Sequence, residues 1–188
     1  MTKLITRKQN RLNNYDYSLN EYYFVTVCSK NRKIIFGEYN NNNVGAPLAC
    51  SRIELSIIGQ IIDNQWNNIV NQYNHIKLDQ YTIMPNHIHG IIIINNRINE
   101  LSRAQASGTP TIGQIIRSFK SKSTLEYIKY INDNNLNVSG KIWQRSFHDH
   151  IIRNEKSLDA IRNYIAINPE NWGNDIDNLL NNITIRYR

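Results

Sequence analysis

Cysteine, proline and long apolar runs are all scarce in this sequence of 188 residues, and each scarcity excludes a class of protein. Two cysteines, Cys28 and Cys50, are too few for a disulfide framework and suit a reducing compartment, where both serve as small apolar side chains. The longest purely aliphatic run, Ile91 to Ile94, falls far short of the roughly 20 residues that a membrane-spanning helix needs. The first residues are polar and carry no apolar stretch of signal-peptide kind. A cytoplasmic protein with no membrane partner is therefore expected. Acidic residues are also in short supply, 15 against 22 Lys and Arg, which leaves a net charge of +7. That excess favours a polyanionic partner such as nucleic acid, though many basic proteins have none. What the chain does have is a 40% share of hydrophobic residues, enough for a packed core and too much for a disordered chain.

The pattern along the chain predicts one domain over residues 21–172, between a basic flexible arm (1–20) and a polar basic tail (173–188). Aromatic and β-branched residues make Tyr22–Cys28 a strand, and residues 33–36 (KIIF) are expected to pair with it through a Ser-Lys-Asn-Arg turn. Residues 40–43 read as a low-complexity loop and 52–55 as a short strand. From Ser56, a plausible N-cap, the residues Ile57, Ile58, Ile61, Ile62, Trp66, Ile69 and Val70 recur at helical spacing. Strands over 75–84 and 87–94 follow, separated by Pro85-Asn86, and residues 95–110 read as a loop. A second helix is expected over 111–131 with Ile112, Ile115, Ile116, Phe119, Leu125 and Ile128 inward. Residues 132–140 read as a further loop. A strand over 141–152 would carry Trp143, Phe147 and Ile151 on one face, and a third helix over 154–168 would stop at Pro169. This order suits an α+β domain, one sheet with helices packed on one face.

Two short segments carry chemistry. In Met84-Pro85-Asn86-His87-Ile88-His89-Gly90, a strand would send His87 and His89 out of the same face, and two neutral imidazoles are half of a divalent metal site. Gly90 would let backbone or substrate approach closely. An isolated HxH is better explained as one solvent-facing and one core histidine, but here the pair opens an otherwise apolar strand, where buried imidazoles need a reason. On the late helix Leu158, Ile161 and Ile165 form the core stripe, and Tyr164 and Asn168, at i and i+4, share one edge. Taken alone, those two also fit a half-buried aromatic and a C-cap before proline.

Together MPNHIHG, SFKS, WQRSFHDHIIR and YIAINPENW, in that order from about Tyr22 to Trp172, resemble the REP-associated tyrosine transposases, a group of single-tyrosine HUH transposases. The resemblance implies a ferredoxin-like antiparallel sheet with the HxH pair on a central strand. It makes His87 and His89 metal ligands, Asn168 the third ligand and Tyr164 the nucleophile, with Mg²⁺ or Mn²⁺ as the metal. The implied reaction is cleavage and strand transfer of single-stranded or hairpin DNA through a 5′-phosphotyrosine, the energy of the broken bond being kept for rejoining. Relatives act as monomers or as homodimers that exchange tyrosines, and either state is open here. Lys120 (in SFKS), Arg117, Lys122, Arg145, Arg153 and His150 are candidate DNA contacts, each also explicable as a solvated charge. His148 and His150 form a rival i, i+2 pair, with Asp149 on the opposite side. The alternative function is a domesticated DNA-binding module without catalysis; a metal-dependent hydrolase is disfavoured by the small number of His and Asp ligands.

Overall fold

A computed structural model of the protein describes residues 16–19, 21–39, 53–95 and 110–174. The loop at 40–43, the inner part of the 95–110 loop, most of the arm and the tail beyond 174 lie outside the described residues. Of the arm, Tyr17 is buried in the main core, and its carbonyl accepts the Ile112 N–H at 3.1 Å.

Four strands form one antiparallel sheet. They are β1 (Tyr22–Cys28), β4 (Ile76–Met84), β5 (His87–Ile94) and β6 (His148–Ile152), in spatial order β4-β5-β1-β6. Two short strands, β2 (Gly37–Tyr39) and β3 (Ile53–Leu55), make a separate pair. The α+β class and the antiparallel sheet are as expected. The KIIF strand is not: residues 33–36 form no strand, because β5 and β6 already occupy both edges of β1. The N–H groups of Ile35 and Phe36 go instead to the carbonyl of Pro85, which ties this segment to the β4–β5 turn.

Helix α1 (Ile57–Asn67) begins at Ser56, whose hydroxyl accepts the Gly59 N–H at 3.1 Å. The helix breaks at Asn68 before a single turn, α2 (Ile69–Gln72), so the stripe expected to run unbroken to Val70 leaves Ile57 and Val70 exposed. Helix α3 (Ile112–Asp133) opens with a capping box between Thr111 and Gln114. Its first half is buried as expected. In its second half Leu125 and Ile128 are exposed, and Ser123, Tyr127 and Ile131 face inward, towards Ile142 and Trp143.

Strand alternation decides which helix covers which face. Tyr23, Val25, Val27, Ile88, Ile92 and Ile151 join Ile62, Trp66, Ile112, Ile116 and Phe119 in the main core, so α1 and α3 share one face as expected. The intervening residues Tyr22, Phe24, Ile91 and Ile152 meet Leu158, Ile161 and Ile165 of α4 (Glu155–Ile167), which is added on the other face. Gly90 belongs to the α1 face. A Cβ there would stand 2.3 Å from the Trp66 indole, so the glycine makes room for a core side chain and not for substrate.

Two irregularities interrupt the regular pairing of the sheet. Between Leu78 and Tyr81 the β4–β5 register slips, so both residues join the main core across an odd spacing. The strand expected over 141–152 exists only from His148. Upstream, Ser29 bridges Trp143, so from Thr26 to Ser29 β1 advances three residues while the partner segment covers five, from His148 back to Trp143. The carbonyls of Gln144 and Ser146, which a strand would offer to a neighbour, are both taken by the Lys120 ammonium, at 2.9 and 3.0 Å.

Candidate active site

His87 and His89 leave β5 on the α4 face, which they share with Thr26, Cys28 and Phe24 of β1 and with His148 and His150 of β6. Both rings are buried, at 0% and 4% exposure. Asn86 prepares the first of them. Its side-chain N–H donates to the Arg32 carbonyl at 3.1 Å, which leaves Oδ1 to accept from His87 Nδ1 at 2.8 Å. His87 must then carry its proton on Nδ1 and present Nε2 as a bare lone pair. Thr26 Oγ1 lies 2.9 Å from His89 Nδ1, and Phe24 stacks on the His89 ring with centroids 5.3 Å apart.

The two Nε2 atoms converge at 2.9 Å. A bare lone pair on one demands either a proton or a shared cation at the other, and Thr26, able to donate or accept, is compatible with both. Burial keeps the rings neutral. Desolvation, then the neighbouring His89 and Arg32, hold His87 well below the usual imidazole range, and burial followed by the field of His148 pushes His89 down to about 3.

Helix α4 brings in the phenol. Asn154 caps it, accepting the Ser157 N–H at 2.8 Å, and Glu155 complements the dipole in the first turn. Tyr164, 43% exposed, lies beyond the buried Leu158–Ile165 stripe, and its hydroxyl is 3.2 Å from His89 Nε2. Phe24 meets the tyrosine ring edge-on. The helix is set in place by Arg162, which grips both oxygens of Asp79 on β4, the shortest contact being 2.6 Å. Asp79 sits within the register slip of β4, on the side of the sheet that α4 covers. The ion pair holds the Asp79 carboxyl below the usual range, the Arg162 hydrogen bond being the main cause.

Asn168, one helical turn beyond Tyr164, is 4% exposed, and its Oδ1 is buried with no hydrogen-bond partner among the described residues. Buried amide oxygens are rarely left so. Trp172 packs behind, its ring 6.2 Å from that of His87. Among the described residues no group of three or more His, Cys, Asp or Glu gathers for a metal. The donors that do converge are two neutral imidazole nitrogens, accompanied by the buried amide oxygen of Asn168 from the helix that carries Tyr164. That mixed N/O set fits a divalent cation with coordination positions left for substrate.

The structure thus brings His87, His89 and Tyr164 together, with Asn168 buried one turn away. His150 and His148 are exposed on the same face, Arg145 and Arg153 are exposed on either side of β6, and Asp149 lies on the opposite face. Arg117 and Lys122 are exposed on α3, across the sheet from the tyrosine. Lys120 is spent on protein carbonyls, and burial lowers its ammonium to about 8. Asn86, Thr26, Arg162 and Asp79 had no assigned role in the sequence. Only Asn86 had a signal there, its place directly before the HxH pair.

No protein-family model matches the chain. Its fold is that of a solved REP-associated tyrosine transposase bound to a REP hairpin, with a TM-score of 0.50, 18% identity, and coverage of 87% of this chain and 74% of the other. An uncharacterized protein of Haemophilus influenzae is 34% identical over 179 residues, which span 90% of this chain and 91% of that protein. Identity at that level along nearly the whole of both chains means that this protein and the Haemophilus influenzae protein belong to one family.

Proposed function

We propose that this protein is a single-tyrosine DNA transposase, which cuts and rejoins single-stranded or hairpin DNA through a 5′-phosphotyrosine. The observation that carries this reading is the Tyr164 hydroxyl, 3.2 Å from a histidine nitrogen that itself lies 2.9 Å from a second one. A phenol placed beside two buried neutral imidazoles has little structural purpose and a clear chemical one. The likeness in fold to a hairpin-bound transposase supports the same reading.

In the proposed reaction the Tyr164 oxygen attacks the scissile phosphorus as the phenolic proton departs. A P–O bond to tyrosine forms, the P–O3′ bond breaks, and the leaving oxygen takes up a proton as a free 3′-hydroxyl. A second 3′-hydroxyl reverses the sequence on the phosphotyrosine, so strands are rejoined without an outside energy source. Mg²⁺ or Mn²⁺ held by His87 Nε2, His89 Nε2 and Asn168 Oδ1 would supply Lewis-acid neutralisation of a nonbridging phosphate oxygen and favour the ionised phenol. Asn86 and Thr26 keep the two rings oriented, Phe24 keeps the phenol and the His89 ring in register, and the Arg162–Asp79 pair fixes the helix. Arg145, Arg153 and His150 are proposed backbone contacts; Arg117 and Lys122 would meet only DNA that passes round to the other face.

The test is incubation of the full chain with a labelled hairpin oligonucleotide and Mn²⁺. A denaturant-resistant protein–DNA adduct that disappears in Tyr164→Phe is expected. DNA binding without an adduct under any divalent metal would make the protein a domesticated binding module, and cleavage that persists in Tyr164→Phe would make it a hydrolase.

A further inference from the structure

Beside the histidines, on the same face of the sheet, lies a cavity that the tyrosine chemistry does not use. It has a volume of about 350 Å³ and is lined by Thr26, Arg32, Gln144, Ser146 and His148 among others. Its two walls are the irregular segments flanking the end of β1. One is the turn in which Asn31 and Arg32 both hold positive φ, 57° and 53°, a conformation costly for non-glycine residues. The other is the irregular stretch between Trp143 and His148, where Lys120 binds the carbonyls of Gln144 and Ser146. Neither wall is left to chance. Asn86, which orients His87, also donates to the Arg32 carbonyl, and Thr26 is shared between the cavity and His89. The fields of Arg32 and His148 are felt at His87 and His89, so the cavity and the histidine pair are electrostatic neighbours.

We propose that this cavity is the subsite for the nucleotide adjoining the scissile phosphate in an unpaired DNA strand. Arg32 and His148 hold its phosphate oxygens, and the side chains of Gln144 and Ser146 meet the base edge. Lys120 acts as a positioning residue that keeps the outer wall in shape. The volume is at the small end of ligand sites, which run from about 300 to 1,000 Å³, and suits one nucleotide but not a stacked duplex. An unpaired base also leaves its hydrogen-bonding edge free for polar side chains. The reading of Tyr164 as the nucleophile supplies the direction in which the strand runs, and to that extent this inference rests on it.

The experiment separates the two. Binding of fluorescein-labelled oligothymidylate to the full-length protein is followed by anisotropy in EDTA, across a salt series, so that affinity is read without cleavage. Arg32→Gln and His148→Ala are each expected to weaken binding by about fivefold or more, and Arg32→Gln to reduce the salt slope by about one. His148 is exposed, so its variant keeps the fold if Arg32→Gln does not. Independently, oligothymidylate carrying a single 5-iododeoxyuridine is expected to crosslink to the tryptic peptides spanning residues 142–145 and 146–153, which hold Gln144 and Ser146. Wild-type affinity and slope in the variants, or crosslinks wholly outside those two peptides, overturn the subsite. So does an Arg32-dependent preference for oligouridylate, which would make RNA the occupant. If Arg32 and His148 carry binding yet no tyrosine adduct ever forms, the cavity stands as a site for an unpaired nucleotide, its place beside a scissile phosphate is overturned, and the transposase reading falls.

Discussion

Asn86 does more with one side chain than any other residue at this site. Its amide oxygen dictates which nitrogen of His87 is bare, and its amide nitrogen holds the carbonyl of a backbone turn in an unfavourable conformation. Partners that fix the tautomer of a ligand histidine commonly contribute a factor of about 10–100 in metal affinity. Asn86→Ala is therefore expected to weaken Mn²⁺ binding by about that factor in isothermal titration calorimetry. An unchanged affinity would mean that His87 needs no orienting partner. Residues of this kind are poorly legible in sequence. An asparagine after proline reads first as a turn residue, and only the distances to His87 and Arg32 give it a second task. Lys120 is the opposite case. Its place in SFKS suggests a DNA contact, whereas the folded chain commits its ammonium to two carbonyls.

At the scale of elements, the site depends on how α4 is docked. Its apolar stripe, legible from spacing alone, supplies affinity for the sheet but leaves the helix free to slide or rotate by small amounts. The Arg162 fork on Asp79 removes that freedom, and the register slip in β4 lies where Asp79 meets the helix. Arg162 is more than a third exposed, so the pair contributes little to overall stability, and its importance is geometric. Arg162→Met is expected to slow formation of the tyrosine adduct by about tenfold, the kind of loss that misplacing a reacting group brings. Mn²⁺ affinity at the histidines should hardly change. Equal losses in both, measured by single-turnover kinetics and calorimetry, would mean that the helix is needed for the fold of the histidine pair itself. Sequence periodicity predicted the helix and its core face; it had no means of pairing Arg162 with a carboxylate 83 positions earlier in the chain.

For the whole molecule, two buried neutral histidines make stability depend on pH. In the unfolded chain each takes a proton near pH 6.5; folded, His89 resists until about 3 and His87 also lies well below its ordinary value. Between those limits the unfolded state binds more protons, so stability falls as pH drops below 6.5, by about 1.4 kcal/mol per pH unit for each histidine. Above 6.5 neither contributes. The urea midpoint of metal-free protein should therefore decline from pH 7 to pH 5, and more gently in His89→Gln; a flat midpoint would place both rings in water. Hydrophobic periodicity, turn residues and caps are local properties, so the sequence by itself determined the main strands and helices in their order and the HxH pair on one face of β5. What the tertiary structure decided was non-local. Both edges of β1 were taken, which denied KIIF a partner; α4 went to the face opposite α1 and α3; and a hydroxyl came within 3.2 Å of an imidazole 75 residues away. Such placements follow from which surfaces remain unburied once the sheet has formed, and a linear pattern does not encode that competition.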